Sequence, residues 1–181
     1  MLVGLTGRNG SGKSTIIEWF KERGFGTSSC SDSIRHWLRK NGREETRDNL
    51  IEGGRALRAA GGPGVLAEML LALIGDEENH AIDSIRTPAE VEVLRARDDF
   101  VLIEVRADGG RRWERLSARG RQGDSGNLDE FKRQDDAELE AHDESGQALL
   151  ATAELADVLM LNDGTPEDLY ANLEVLVESF K

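Results

Sequence analysis

The sequence predicts an α/β fold: a five-stranded parallel sheet with helices on both faces and a short lid. Three observations carry that prediction. Residues Gly7-Arg8-Asn9-Gly10-Ser11-Gly12-Lys13-Ser14 read G-x-x-x-x-G-K-S, set between an apolar run of strand length and a helical segment. Strand-length apolar runs then alternate with helical spacings to the end, with no repeat and no low-complexity linker. Finally, an acidic chain concentrates arginine at Arg106, Arg111, Arg112, Arg115, Arg119 and Arg121, a local reversal of sign that marks a segment built to meet anions.

Each element has its own signal. Residues 1–6 form the first strand, and residues 14–23 a helix through Ile16, Ile17 and Phe20 that stops at Gly24. A short second strand at 26–29 leads through a Ser-rich turn to a helix from about 33 to 40. A further helix covers 44–60, and Gly61-Gly62-Pro63-Gly64 breaks the chain before an apolar helix at 65–74. His80-Ala81-Ile82 is the third strand and ends in Asp83. Thr87-Pro88-Ala89-Glu90 opens a helix with an N-cap, a proline at the first helical position and a capping-box glutamate. Residues 100–105 are the strongest interior strand, an acidic helix runs over 129–144, and 158–161 is the last strand. Thr165-Pro166-Glu167-Asp168 caps a closing helix as Thr87 does.

Composition bounds the function. With 181 residues, 38% of them hydrophobic, the chain has the size and the apolar content of one domain. The formal net charge of -12 disfavours nucleic acid as a partner, because phosphate backbones attract basic surfaces. Cys30 is the sole cysteine, so neither an intramolecular disulfide nor a cysteine metal cluster is expected, and His36, His80 and His142 are too dispersed for a metal site. Trp19, Trp37 and Trp113 sit at core-like helical positions. No apolar run reaches transmembrane length and no signal-peptide pattern precedes the first strand. The expectation is a cytoplasmic protein without a membrane partner; oligomeric state is left open.

The Gly-rich loop explains what the chain is built to hold. Its glycines turn backbone N–H groups toward an anion, and the following helix adds the positive end of its dipole. Lys13 can reach the β- and γ-phosphates of a bound triphosphate, and the Ser14 hydroxyl can bind Mg²⁺. The whole is a P-loop NTPase fold. Asp83, at the C-terminal end of an apolar strand, suits the water shell of a phosphate-bound Mg²⁺, and Arg86 would aim a bidentate donor into the same crevice. Asp32 can accept a proton from an attacking hydroxyl and Arg35 can clamp an acceptor phosphate; Asp32 equally suits the cap of the helix carrying Trp37 and Leu38. Arg115 and Arg119 share a helix face at i,i+4, and Arg121 follows Gly120 into a polar loop at 122–127, as arginines of a mobile lid do. Pairing with the acidic helix is the simpler account of Arg106, Arg111 and Arg112, as solvated surface.

Two further runs carry a family resemblance. Gly4-Leu5-Thr6-Gly7 followed by Gly10-Ser11-Gly12-Lys13-Ser14-Thr15 resembles the opening of dephospho-CoA kinases. Ala156-Asp157 through Asn162-Asp163-Gly164-Thr165 resembles the segment that in that family lies beside the adenine of ATP. Ser31-Asp32-Ser33-Ile34-Arg35 and Asp83-Ser84-Ile85-Arg86 are closer to the nucleoside monophosphate kinase pattern, as found in the archaeal kinase-like proteins of this group. The Asp-x-x-Arg spacing is one residue shorter than in adenylate kinases, and Ser31 replaces the glycine usual before the acceptor-site aspartate.

The resemblance implies a kinase that moves the γ-phosphoryl of ATP, with Mg²⁺, to a small nucleotide-like acceptor such as a nucleoside or deoxynucleoside monophosphate or dephospho-CoA. Gly7, Asn9, Gly10, Ser11, Gly12, Lys13, Ser14 and Thr15 would bind the phosphates, and Asn162, Gly164 and Thr165 would line the adenine, although Asn162 and Asp163 also suit an ordinary turn. Ser14 and Asp83 would organise the metal. Asp32, Arg35 and Arg86 would hold the acceptor, and Arg115, Arg119 and Arg121 the transition state. One domain, 1–181, would then carry an acceptor-binding insert at about 31–75 and a lid at about 115–136. The helix at 44–60, with Arg47 and Arg55, would close over the acceptor about a Gly61-Gly62 hinge. Two other classes share these features: a non-catalytic ATP-binding module that switches a partner interface, and an NTPase whose acceptor is water.

Overall fold

In the computed structural model, residues 1–74, 79–120, 127–137 and 148–180 are described. β1 (Leu2–Thr6), β2 (Gly26–Ser29), β3 (His80–Asp83), β4 (Phe100–Arg106) and β5 (Val158–Leu161) form one sheet in the order β2-β3-β1-β4-β5, with every pairing parallel. α1 (Lys13–Glu22) connects β1 to β2, and α2 (Cys30–Lys40), α3 (Arg47–Gly61) and α4 (Val65–Leu71) lie between β2 and β3. α5 (Pro88–Leu94) leads to β4. Next come α6 (Gly109–Arg119), α7 (Leu128–Ala137) and α8 (Leu149–Ala153), before β5 and the closing α9 (Pro166–Glu178).

β1 sits at the centre, buried along its whole length. Its alternating side chains feed two cores. On one face Leu2, Ile82 and Leu102 pack under α2, α4 and α5 through Ile34, Leu66 and Leu94; on the other Val3, Leu5 and Ile103 pack under α1 and α9 through Ile16, Phe20 and Leu173. Each of these apolar side chains contributes about 1.5–3 kcal/mol when fully buried, so the expected helices on both faces follow from β1 being apolar at every second position twice over. Gly4 interrupts this run for a local reason: a Cβ there would collide with Ile85 Cδ1 and the Phe100 ring.

Several boundaries differ from the sequence reading, and capping explains the clearest. α2 starts at Cys30, directly off β2, so there is no Ser-rich turn: the Ser29 side chain accepts from Ser31 N–H at 3.2 Å, and Asp32 Oδ2 accepts from Ser29 N–H at 2.7 Å, a capping box. Asp32 is therefore the third residue of the helix and not its cap. α3 waits until Arg47, where Thr46 caps it. α8 had no sequence signal, and of the acidic helix expected over 129–144 the part beyond 137 lies outside the described residues. Trp19 is buried, whereas Trp37 and Trp113 are half-buried; Trp113 packs on Phe131 with ring centroids 5.6 Å apart, joining α6 to α7. Among the described residues no helix is long and apolar enough to cross a membrane.

The inserted helices are tied down by a buried ion pair. Arg58 of α3 donates to Glu90 Oε1 at 2.9 Å, with the two side chains 8% and 0% exposed. The second oxygen, Oε2, accepts from the backbone N–H groups of Arg86, at 2.8 Å, and Thr87, at 3.2 Å. Cys30 lies within reach of the same charges. Burial above all, with the Glu90 carboxylate next, pushes its thiol well above the usual range. Two outcomes follow from this packing. Glu90→Ala strands the buried Arg58 charge and should lower stability by about 3–5 kcal/mol in urea unfolding. Native protein should leave its thiol unreacted with a disulfide reagent at pH 8 over a time in which urea-unfolded protein reacts fully.

Candidate active site

β1 delivers the chain into the Gly-rich loop at the C-terminal edge of the sheet, where open α/β folds bind their ligands. Gly7, Gly10 and Gly12 have φ of 133°, 76° and 106°, left-handed values that let the turn close tightly over its own N–H groups. The carbonyls of the loop are all engaged. Lys13 Nζ donates to Gly7 O at 2.7 Å and Arg8 O at 3.1 Å. Arg112 Nη1 donates to Asn9 O at 3.2 Å, Arg115 Nη1 to Gly10 O and Ser11 O at 3.4 Å each, and Asn162 Nδ2 to Ser11 O at 2.8 Å. Ser14 is exposed on the first turn of α1 and Thr15 is half-buried, while Ser11 is buried within the loop.

Behind the loop lies a charged network on α6 and α7. Arg112 and Asp135 form a bidentate pair with both contacts at 2.7 Å, the side chains 4% and 7% exposed. Asp135 also takes Arg8 of the loop at 2.6 Å. The sequence reading set Arg112 on a solvated surface with Arg106 and Arg111. Its partner is indeed on the acidic helix, but the pair is buried; Arg106 instead pairs with Glu104 in its own strand and Arg111 with Glu114 in its own helix. Arg112, Asp135 and Arg8 are thus site residues that the sequence reading missed. The local excess of arginine hinted at Arg112 alone; Arg8 stands at a variable position of the phosphate-loop motif, and no spacing rule ties either one to Asp135.

The neighbouring strand contributes the acidic group. β3 is hydrogen-bonded directly to β1, with Gly4 opposite Ile82, so Asp83 ends its strand level with Leu5, two residues before the loop begins at Gly7. On its other side Asp83 is opposite Ser29, at the head of α2. Ser84 has φ of 63° and its N–H donates to Asp83 Oδ1 at 2.6 Å, after which Ile85 N–H returns to Leu5 O at 3.2 Å. A non-glycine residue in the left-handed region costs roughly 1–3 kcal/mol and is characteristic of sites where the backbone must aim a side chain. Arg86 follows, its backbone held by Glu90 and its side chain half-buried. The exposed Ser14 hydroxyl, on the first turn of α1, and the Asp83 carboxylate, at the end of β3, are hard oxygen donors. This fits Mg²⁺, which is bound by one or two protein oxygens together with substrate phosphates.

The remaining candidates divide. Asp32 and Arg35 are together at the end of β2, 3.0 Å apart, and Arg35 also reaches Glu45 at 3.4 Å. Both carboxylate oxygens of Asp32 are engaged, by Arg35 and by Ser29 N–H, so it serves as a structural anchor for Arg35 before it serves as a base. Arg115 and Arg119 separate despite their shared face: Arg115 is drawn in against the loop, and Arg119 is exposed at the end of α6. Arg121 lies outside the described residues, as do 121–126 of the expected lid. Asn162 is only 6% exposed, with its amide turned to the loop and not to an open wall, whereas Gly164 and Thr165 are exposed, Thr165 capping α9. In the insert, the side chain of Arg47 lies outside the described residues and Arg55 is exposed; Arg58 is the arginine that turns inward. Among the described residues no three His, Cys, Asp or Glu side chains group as a metal cage.

Comparison with known proteins agrees with this fold. A family profile described as an AAA domain matches residues 3–141. A UPF0200 protein of Thermococcus kodakarensis is 30% identical over 98% of this chain and 97% of its own length, and one of Methanocaldococcus jannaschii is 31% identical over 98% and 89%. Among solved structures, shikimate kinase from Bacteroides thetaiotaomicron superposes with a TM-score of 0.69 at 17% identity, covering 98% of each chain. An APS kinase from Mycobacterium tuberculosis gives 0.51 at 16%, covering 98% of this chain and 96% of its own. At such identities the structural likeness speaks for the fold alone, and the fold is P-loop kinase-like. With sequence relatives matching from end to end and the phosphate loop in place, the chain belongs to the AAA-domain family and to the UPF0200 proteins.

Proposed function

We propose that the chain is an ATP-dependent phosphotransferase that moves the γ-phosphoryl of Mg-ATP to a small nucleotide-like acceptor, a nucleoside or deoxynucleoside monophosphate or dephospho-CoA. The observation that carries this reading is the pairing of β3 with β1, which sets Asp83 beside the phosphate loop, with the helices of the 30–71 segment rising from the next strand over. A binding loop alone would serve any nucleotide protein. A further charged pair at the head of α2, Asp32 and Arg35, at the same edge of the sheet suits a second substrate.

In this reading Lys13 leaves the Gly7 and Arg8 carbonyls for the β- and γ-phosphates. Ser14 and Asp83 hold the magnesium ion, which when bound neutralises charge on the phosphoryl oxygens. Arg86 and Arg35 orient the acceptor, with Asp32 and Glu45 fixing the direction of Arg35. Arg119 and Arg121 are the lid cations that meet the migrating group, and the exposed Gly164 and Thr165 lie against the adenine. The chain's own contribution is positioning and charge, the main work of phosphoryl-transfer enzymes.

One observation favours water as the acceptor instead: Arg35 already has two carboxylate partners and is less available to a phosphate. An ADP-release assay with Mg-ATP separates the two. One compound in a panel of nucleoside monophosphates, deoxynucleoside monophosphates and dephospho-CoA should raise turnover at least about tenfold above the water reaction, and Lys13→Ala should remove both rates by about a hundredfold or more. A flat panel over intact ATP binding would replace the kinase by an NTPase or a nucleotide-gated module.

A further inference from the structure

We infer that Arg112, Arg115 and Asn162 are positioning residues that set the phosphate loop from its carbonyl side, with Asp135 holding Arg112 in place. The inference rests on the loop being the nucleotide site, and it gives Arg115 a different role from the lid arginines.

The argument is an accounting of peptide groups. Five successive carbonyls, from Gly7 to Ser11, accept hydrogen bonds from side chains. A peptide unit whose C=O is fixed on one side has its N–H turned to the other, so donors behind the loop direct amides toward an anion in front, except that Ser11 N–H closes back on Arg8 O at 3.3 Å. The donors are of two kinds. Lys13 holds Gly7 and Arg8 and must leave them when it reaches a phosphate. Arg112, Arg115 and Asn162 hold Asn9, Gly10 and Ser11, and nothing in phosphate binding requires them to move.

The permanent donors are themselves fixed. Asn162 O accepts from Arg115 Nη2 at 2.8 Å while its side chain reaches Ser11, so one residue braces the loop and its neighbouring brace together. Arg112 has both ends of its guanidinium on Asp135. The glycines admit this close approach: a Cβ on Gly12 would collide with Asn162 Nδ2, and one on Gly10 would stand 2.7 Å from the Arg112 carbonyl. Two guanidinium groups directly behind a half-buried loop also add positive potential at the amides.

The test reads the loop itself as well as its ligand. In Asp135→Asn, Arg115→Ala and Asn162→Asp, the backbone ¹⁵N order parameters of residues 8–12 in nucleotide-free protein should fall from rigid values of about 0.85 toward about 0.6, and the Kd for a fluorescent ADP analogue should rise about tenfold. Arg115→Lys, which keeps the charge, should recover part of the affinity that Arg115→Ala loses. With an active acceptor, Arg115→Ala should raise the KM for ATP by a larger factor than it lowers kcat. Unchanged order parameters and unchanged Kd in all three variants would overturn the inference, as would a collapse of kcat at unchanged ADP affinity, which assigns Arg115 to the transition state. Should wild-type protein bind no ADP analogue, the functional reading falls separately, and the order parameters of residues 8–12 still decide whether these side chains set the loop.

Discussion

A backbone turn that gathers its N–H groups on one side sends its carbonyls to the other, and in a folded protein those carbonyls must find donors. This constraint organises the molecule around residues 7–12. The donors have to come from elements that can stand behind the C-terminal end of β1, and the sheet order makes α6 and the β5–α9 connection those elements. Arg112, Arg115 and Asn162 meet the loop because β4 and β5 continue the sheet on that side. The buried Asp135 then becomes necessary, since a guanidinium placed so far from water is costly without a carboxylate.

The opposite flank of β1 shows the same logic with the signs exchanged. Glu90 is a fully buried carboxylate whose two oxygens serve an arginine side chain and two backbone amides, so its charge is spread over three donors from two elements. This arrangement joins α3 to the turn after Asp83, and the left-handed Ser84 is held within it. Strain at one residue is tolerable when the residues beyond it are fixed this firmly. Asp83 is thereby presented by a rigid turn, in contrast to Arg119 on the exposed end of α6.

Much of this was legible in the sequence because it is local. The G-x-x-x-x-G-K-S run, the apolar strands and the Thr87/Glu90 and Thr165/Asp168 capping boxes depend on residues a few positions apart, and all took the expected form. The start of α2 was misplaced because Ser29 can be read as a strand end or as a cap, and the hydrogen bond from its own N–H to Asp32 decides it. The brace was illegible for a different reason. Arg112 meets Asn9 across 103 residues and Asn162 meets Ser11 across 151, so no spacing rule connects them. Arginine-rich composition marked the segment, yet only packing could distinguish the arginine that is drawn inward from the one that stays in solvent. Glu90 was recognised as a cap, but its burial and its tie to Arg58 were not visible in a four-residue signal.

The wide separation between the loop and its supports also bears on how the protein forms. A chain synthesised from its amino end exposes the glycine-rich turn first, while β4, α6 and Asn162 come into being only after 90 to 150 further residues have been made. Closing such long loops is entropically costly, and contacts of this range are characteristic of slow-folding topologies. The contacts that support the turn are therefore made with segments translated long after it, although the turn itself is among the first parts of the chain to be made. Until those segments are made, the carbonyls of Asn9, Gly10 and Ser11 lack the side-chain donors that meet them in the folded domain.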